Sequence, residues 1–149
     1  MNAYRVSKCR YIEDLTGKGA ALYGGRWNSK GVYILYTSLT ASLALLENRV
    51  HMSEMPGEDY CLGTLVIPDD KVVSFDIKEL PSDWFKYPSP VILKRFGDEF
   101  IKANKFLGMK IPSAVLPEEH NLLINPAHPD MKKVSMIYSR SITIDERLF

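Results

Sequence analysis

Apolar and polar positions along the chain follow two rhythms, one of strands and one of helices. Ala3–Ser7 reads as a short strand, and Arg10–Leu15 can make a helical turn after it. Val32–Thr37 (VYILYT) is β-branched and aromatic, which predicts a strand. Thr40 is a good N-cap for a helix from Ala41 to about Ser53. Tyr60–Ile67 and Lys71–Phe75 predict two strands around a tight turn at Pro68-Asp69-Asp70. Ser89 can cap a second helix from Pro90 to about Phe106, whose apolar residues Ile92, Leu93, Phe96, Phe100, Ala103 and Leu107 recur at helical spacing. Ser113–Leu116, Leu122–Ile124 and Val134–Ile144 are strand-like and interrupted by prolines. Between the first two strands, Thr16–Gly31 holds five glycines in sixteen residues and predicts irregular backbone. Strands and helices mix without a βαβ rhythm. The expected fold is α+β, a mixed or antiparallel sheet with flanking helices, in one domain over residues 1–149.

Composition narrows the function classes. Nineteen basic against eighteen acidic side chains leave a formal charge of +1, which removes the electrostatic footprint of a nucleic-acid or membrane-surface binder. No apolar run approaches the ~18 residues of a membrane span, and the first residues form no apolar signal region. A cytoplasmic protein is expected, with Cys9 and Cys61 as two reduced, partly buried thiols.

The familiar catalytic signatures are missing. Leu22 stands where a dinucleotide fingerprint needs its third glycine, and Ser29 where a P-loop needs its second. The loop is either a surface connection or a nest of backbone N–H groups for phosphate. His51, His120 and His128 are too scattered for a metal motif, and no GxSxG occurs.

Glu47 is the most informative residue. On a wheel of about 100° per residue it falls some 40° from Leu43, between Leu43 and Ala44 and inside the apolar arc. A carboxylate there either reaches water past His51 or sits at the floor of a cleft, where it needs a cation, donors or a proton. Ile34, Tyr36 and Ser38 share one face of the preceding strand, so Tyr36 and Glu47 can face a common space. Arg5 and Arg26 are candidate cations, and arginine suits bidentate phosphate binding.

At these residues the chain resembles the RES-domain family, the toxin half of RES–Xre toxin–antitoxin pairs. The resemblance is carried by Tyr4-Arg5, GKGAALYGGRWNSKG at Gly17–Gly31, VYILYTS at Val32–Ser38 and SLALLENRVH at Ser42–His51. IPSAVLPEEHNLLINPAHPD at Ile111–Asp130 and the closing Asp145-Glu146-Arg147-Leu148 extend it to roughly two-thirds of the chain; residues 53–110 add no motif. It implies a fold related to ADP-ribosyltransferases and an enzyme that destroys NAD⁺, taken as substrate with no cofactor. It implies that Glu47 is the catalytic carboxylate, that Arg26 and Arg5 bind the pyrophosphate or nicotinamide side, that Tyr36 stacks on nicotinamide and that Ser113 completes the pocket. Asn121 belongs to the same segment, with a substrate-binding or structural role. Trp27 and Asn28 would fix the loop, and Tyr23 is a weaker candidate. The implied partner is an Xre-like antitoxin, in an oligomeric complex with no direct nucleic-acid or membrane contact.

Three functions follow. The first is NAD⁺ cleavage onto water or phosphate. The second is ADP-ribosylation of a protein from the same pocket. The third is a non-catalytic nucleotide- or antitoxin-binding module, against which intact Glu47, Arg26 and Ser113 argue.

Overall fold

The computed structural model describes residues 1–149. Seven strands form one mixed sheet. They are β1 (Asn2–Lys8), β2 (Leu35–Ser38), β3 (Tyr60–Val66), β4 (Val72–Ser74), β5 (Gly108–Pro112), β6 (His120–Ile124) and β7 (Ser135–Ile142), in the order β4-β5-β6-β2-β1-β3-β7. All neighbours are antiparallel except β4 and β5. Three helices flank the sheet: α1 (Lys18–Tyr23), α2 (Ala41–Arg49) and α3 (Ile92–Ala103). The α+β class is the expected one.

The middle of the sheet is buried on both faces, and the sequence there is accordingly a near-continuous apolar run. Leu122 and Ile124 of β6 join Ala3, Leu35, Leu65 and Leu107 in one core. Leu123, pointing the other way, joins Trp27, Ile34, Trp84, Leu93, Met109 and Ile111 in a second. The amphipathic α3 supplies Leu93 to that second core and stops where Asn104 turns left-handed.

Several boundaries differ from expectation. The glycine-rich stretch is not wholly irregular, because Lys18–Tyr23 forms a short helix between Gly17 and Gly24, both with positive φ. A side chain at Gly17 would also strike the Ile34 backbone 2.7 Å away, so glycine is required there. The helix begun by Thr40, whose hydroxyl accepts from Leu43 N–H at 3.1 Å, ends at Arg49 rather than near Ser53. Ser89 does not cap α3. The strand expected at Ser113–Leu116 lies earlier, as β5, because Gly108–Pro112 pairs with β6 and with β4. β3 and β4 do not form a hairpin; β4 crosses to the far edge of the sheet.

The cysteines correct the expectation of free thiols. Cys61 lies opposite Ser7 in the β1–β3 ladder, and Cys9 N–H donates to Asp59 O just beyond it. That pairing brings the two Cα atoms to 4.8 Å, and Cys9–Cys61 is a disulfide. Compartment arguments cannot see a strand register; the register decides this contact.

No helix is long and apolar enough to cross a membrane.

Candidate active site

The site is built where the ends of four neighbouring strands meet α2. Antiparallel pairing sets Ser38 of β2 directly opposite Asn121 of β6, and Asn121 opposite Ile111 of β5. Ser113 follows β5 and is anchored by its N–H to Glu119 O at 2.9 Å. α2 packs on β1 and β2 and lowers Glu47 towards this strand end. Thr40 also ties the start of α2 to the β5–β6 connection by donating to Glu119 at 2.6 Å.

Both donors converge on one oxygen of Glu47. Ser113 Oγ donates to Oε1 at 2.7 Å and Asn121 Nδ2 donates to the same atom at 2.5 Å. No buried side-chain nitrogen or oxygen in the chain lacks a partner, so the unbonded Oε2 reaches solvent. Glu47, Arg5, Tyr36, Ser38 and Asn121 all line one cleft, together with Tyr4. Glu47 thus lines the cleft half-buried, with one carboxylate oxygen held by two donors.

The arginines are fixed by their backs. Arg5 Nη1 donates to Ile12 O at 2.9 Å and Asp14 O at 2.5 Å. Arg26 Nη1 donates to Trp84 O at 2.8 Å and Lys86 O at 2.9 Å. Nε and Nη2 of each guanidinium have no hydrogen-bond partner within the chain. Burial lowers both pKa values; the charge of Asp14 works against this at Arg5, and that of Glu47 at Arg26. Both stay cationic at neutral pH. Arg26 does not line the cleft itself, but it lies within electrostatic reach of Glu47 and Tyr36.

The loop that carries Arg26 is held with unusual thoroughness. Asn28, fully buried, donates from Nδ2 to Ala20 O, Ser29 O and Val32 O, and its Oδ1 accepts from the Tyr36 hydroxyl at 2.7 Å. That hydroxyl in turn accepts from Trp27 N–H at 3.1 Å. Burial raises the Tyr36 pKa well above the usual tyrosine range, with the Trp27 N–H opposing the shift. Gly25 leaves room for this contact, since a Cβ there would lie 2.7 Å from the Tyr36 oxygen. From outside, α3 clamps the loop. Lys94 Nζ donates to Gly25 O at 2.7 Å and Asn28 O at 3.2 Å, while Asp98 accepts from Ser29 N–H and Oγ. Gly97, between them, lets the α3 backbone rest against the Trp27 carbonyl.

A cleft with one anchored carboxylate, flanked by arginine and tyrosine, suits a ligand that is anionic at one place and develops positive charge at another. Similarity to known proteins gives the family. The RES domain model matches residues 2–145. The chain belongs to the RES domain family. A "Toxin Res" of Yersinia enterocolitica is 34% identical to this RES domain over 151 residues, covering 99% of both chains. A "Prs ADP-ribosylating toxin" of a Sphingobium species is 36% identical over 141 residues, covering 91% of this chain and 87% of that one. In three dimensions, this RES domain is similar to a chain of the M. tuberculosis MbcT–MbcA toxin–antitoxin complex. The TM-score is 0.80 at 19% identity, over 95% of this chain and 84% of the other, which speaks to the fold.

The structure thus gathers Arg5, Tyr36, Glu47, Ser113 and Asn121 and leaves Arg26 outside the cleft lining, within electrostatic reach of Glu47. Trp27 and Asn28 sit in the fixed loop, and Tyr23 is exposed. Sequence reasoning missed Lys94, Gly97 and Asp98. Their i, i+3, i+4 spacing on one helix face was the available signal, but what that face met was hidden.

Proposed function

We propose that this RES domain is the toxin of a toxin–antitoxin pair and acts by cleaving the nicotinamide–ribose bond of NAD⁺. The observation that carries the reading is the Glu47 carboxylate, held through Oε1 by Ser113 and Asn121 with Oε2 left unbonded, in a residue that lines one cleft with Arg5 and Tyr36. Family membership and the similarity to named toxins support it.

The chemistry needs little more. Nicotinamide leaves as a neutral ring because its nitrogen begins as a pyridinium, so the general acid of an ordinary glycosidase is unnecessary. The ribose left behind is oxocarbenium-like, and a fixed carboxylate stabilises that charge without reorganising. Arg5 and Arg26 hold the anionic pyrophosphate through their free N–H groups. Tyr36, its hydroxyl engaged and its ring immobile, orients the leaving ring by stacking. Water or phosphate then takes the ribosyl carbon, giving ADP-ribose or its 1-phosphate.

The deciding test is incubation of purified protein with NAD⁺, with products identified by mass. Glu47→Gln is isosteric and should cut NAD⁺ loss at least ~100-fold while the thermal midpoint stays put. Near-wild-type turnover would overturn the assignment.

A second reading is favoured by the Sphingobium relative: the ribosyl group goes to a protein. Labelled NAD⁺ appearing on a protein band, rather than in a small product, selects it. The partner is an antitoxin, as the MbcT–MbcA similarity supports, and the family resemblance makes it Xre-like. Expressed alone in a bacterium, the chain should stop growth and lower cytoplasmic NAD⁺, and co-expression of the antitoxin should reverse both.

A further inference from the structure

Two hydrogen-bond donors reach Glu47, and each is itself fixed from behind. Ser113 Oγ accepts from Val115 N–H at 3.0 Å and Leu116 N–H at 3.2 Å, so its own proton is left for the carboxylate. Asn121 poses a different problem. The two ends of its amide have nearly the same shape, yet only the NH₂ end can donate to Glu47. With the amide turned over, Oδ1 would face Oε1, acceptor against acceptor. Ser38 removes that choice. Buried and directly opposite Asn121 in the β2–β6 ladder, it donates from Oγ to Oδ1 at 2.7 Å.

We propose that Ser38 is a positioning residue for Glu47, acting through Asn121. Its hydroxyl proton locks the amide so that Nδ2 meets Oε1, and this holds the carboxylate with Oε2 towards the cleft. The inference rests on the reading of Glu47 as the catalytic carboxylate. Ser38 borders the cleft, but its one hydroxyl proton is committed to Asn121, so it acts on the carboxylate and not on NAD⁺. Removing it should loosen the reacting group while leaving the binding groups, Arg5 and Arg26, in place. The effect therefore falls on kcat and not on KM.

The test uses the full chain with NAD⁺ as substrate. Ser38→Ala should lower kcat roughly tenfold with KM within about twofold. Ser38→Thr keeps the hydroxyl and should recover most of the loss. Asn121→Ala should be at least as slow as Ser38→Ala, and the double variant no slower than Asn121→Ala alone, because Ser38 then has nothing to act through. Losses that multiply in the double variant, or a raised KM with kcat unchanged, would overturn the proposal.

A second measurement needs no turnover. In the ¹⁵N spectrum the Asn121 side-chain N–H pair should be widely split and slow to exchange in the wild type, and should collapse towards ordinary amide values in Ser38→Ala. An unmoved pair would also overturn the proposal. If wild-type protein leaves NAD⁺ intact while Ser38→Ala still collapses the pair, the catalytic reading fails and the Ser38–Asn121 lock stands.

Discussion

Gly97→Ala gives the sharpest test of how the Arg26 loop is held. An alanine Cβ there would fall on the Trp27 carbonyl oxygen, 2.7 Å from the carbonyl carbon and 3.2 Å from the Trp27 Cβ. Carbon–carbon contacts settle near 3.5–4.0 Å, so α3 and the loop must part by about 1 Å or more. The obstacle is backbone, so no rotamer change relieves it. Overpacking of this kind costs about 1–3 kcal/mol. Alanine returns about 0.5–1 kcal/mol through its better helix propensity. The net loss, up to about 2.5 kcal/mol, corresponds to a thermal midpoint lower by as much as roughly 5–10 °C in a domain of this size. The same displacement pulls Lys94 and Asp98 from Gly25, Asn28 and Ser29, and a shift of about 1 Å near reacting groups costs up to ~100-fold in rate. Circular dichroism melts and NAD⁺ turnover well below the midpoint read both effects. A raised midpoint with full activity, the ordinary outcome for an unobstructed helical glycine, would refute the clamp.

Other outcomes follow from single groups. Arg26→Lys keeps the charge but not the planar fork, in which Nη1 is held by Trp84 O and Lys86 O while Nε and Nη2 remain for phosphate, so the KM for NAD⁺ should rise several-fold; an unchanged KM would leave Arg5 as the pyrophosphate ligand. Burial holds Tyr36 protonated above the ordinary tyrosine value of about 10. Unfolded chains ionise this group first, so its contribution to stability is intact at neutral pH and is lost as pH climbs past about 10, which alkaline melts of wild type and Tyr36→Phe should separate. The Cys9–Cys61 bridge closes a loop of sequence separation 52, which the chain-entropy model values at about 4 kcal/mol at most. Oxidised protein should take up no thiol-alkylating label, and reductant should lower its melting midpoint.

What could be read from the chain was whatever depended on near neighbours. Thr40 as cap and the Tyr36–Ser38 face are decided within a dozen residues and stand as expected, while the apolar arc around Glu47 holds only at Leu43 and Ala44, because α2 stops at Arg49 and leaves Val50 exposed. What failed depended on register. The sequence separation of 83 between Ser38 and Asn121 is bridged only by β6 inserting beside β2, and the Cys9–Cys61 bond likewise only by β1 lying against β3. The strand expected at Ser113–Leu116 was misplaced for a related reason. Apolar character continues past β5, but the pairing partner does not. The α3 clamp on the Arg26 loop was invisible because a glycine's value lies in what touches it.

The sheet order has a consequence for the timing of synthesis. β6 is the sixth strand made yet lies between β5 and β2, so the cradle around Glu47 closes across 66 residues to Ser113 and 74 to Asn121. At bacterial elongation rates those residues take roughly 3–15 s to emerge after Glu47 has left the ribosome. Throughout that interval the nascent chain carries its carboxylate without either anchor. A polypeptide stalled or cut before β6 cannot assemble the site at all. The site is thus complete only after nearly the entire domain has been translated, a delay in which a partner that binds the finished fold has nothing to recognise.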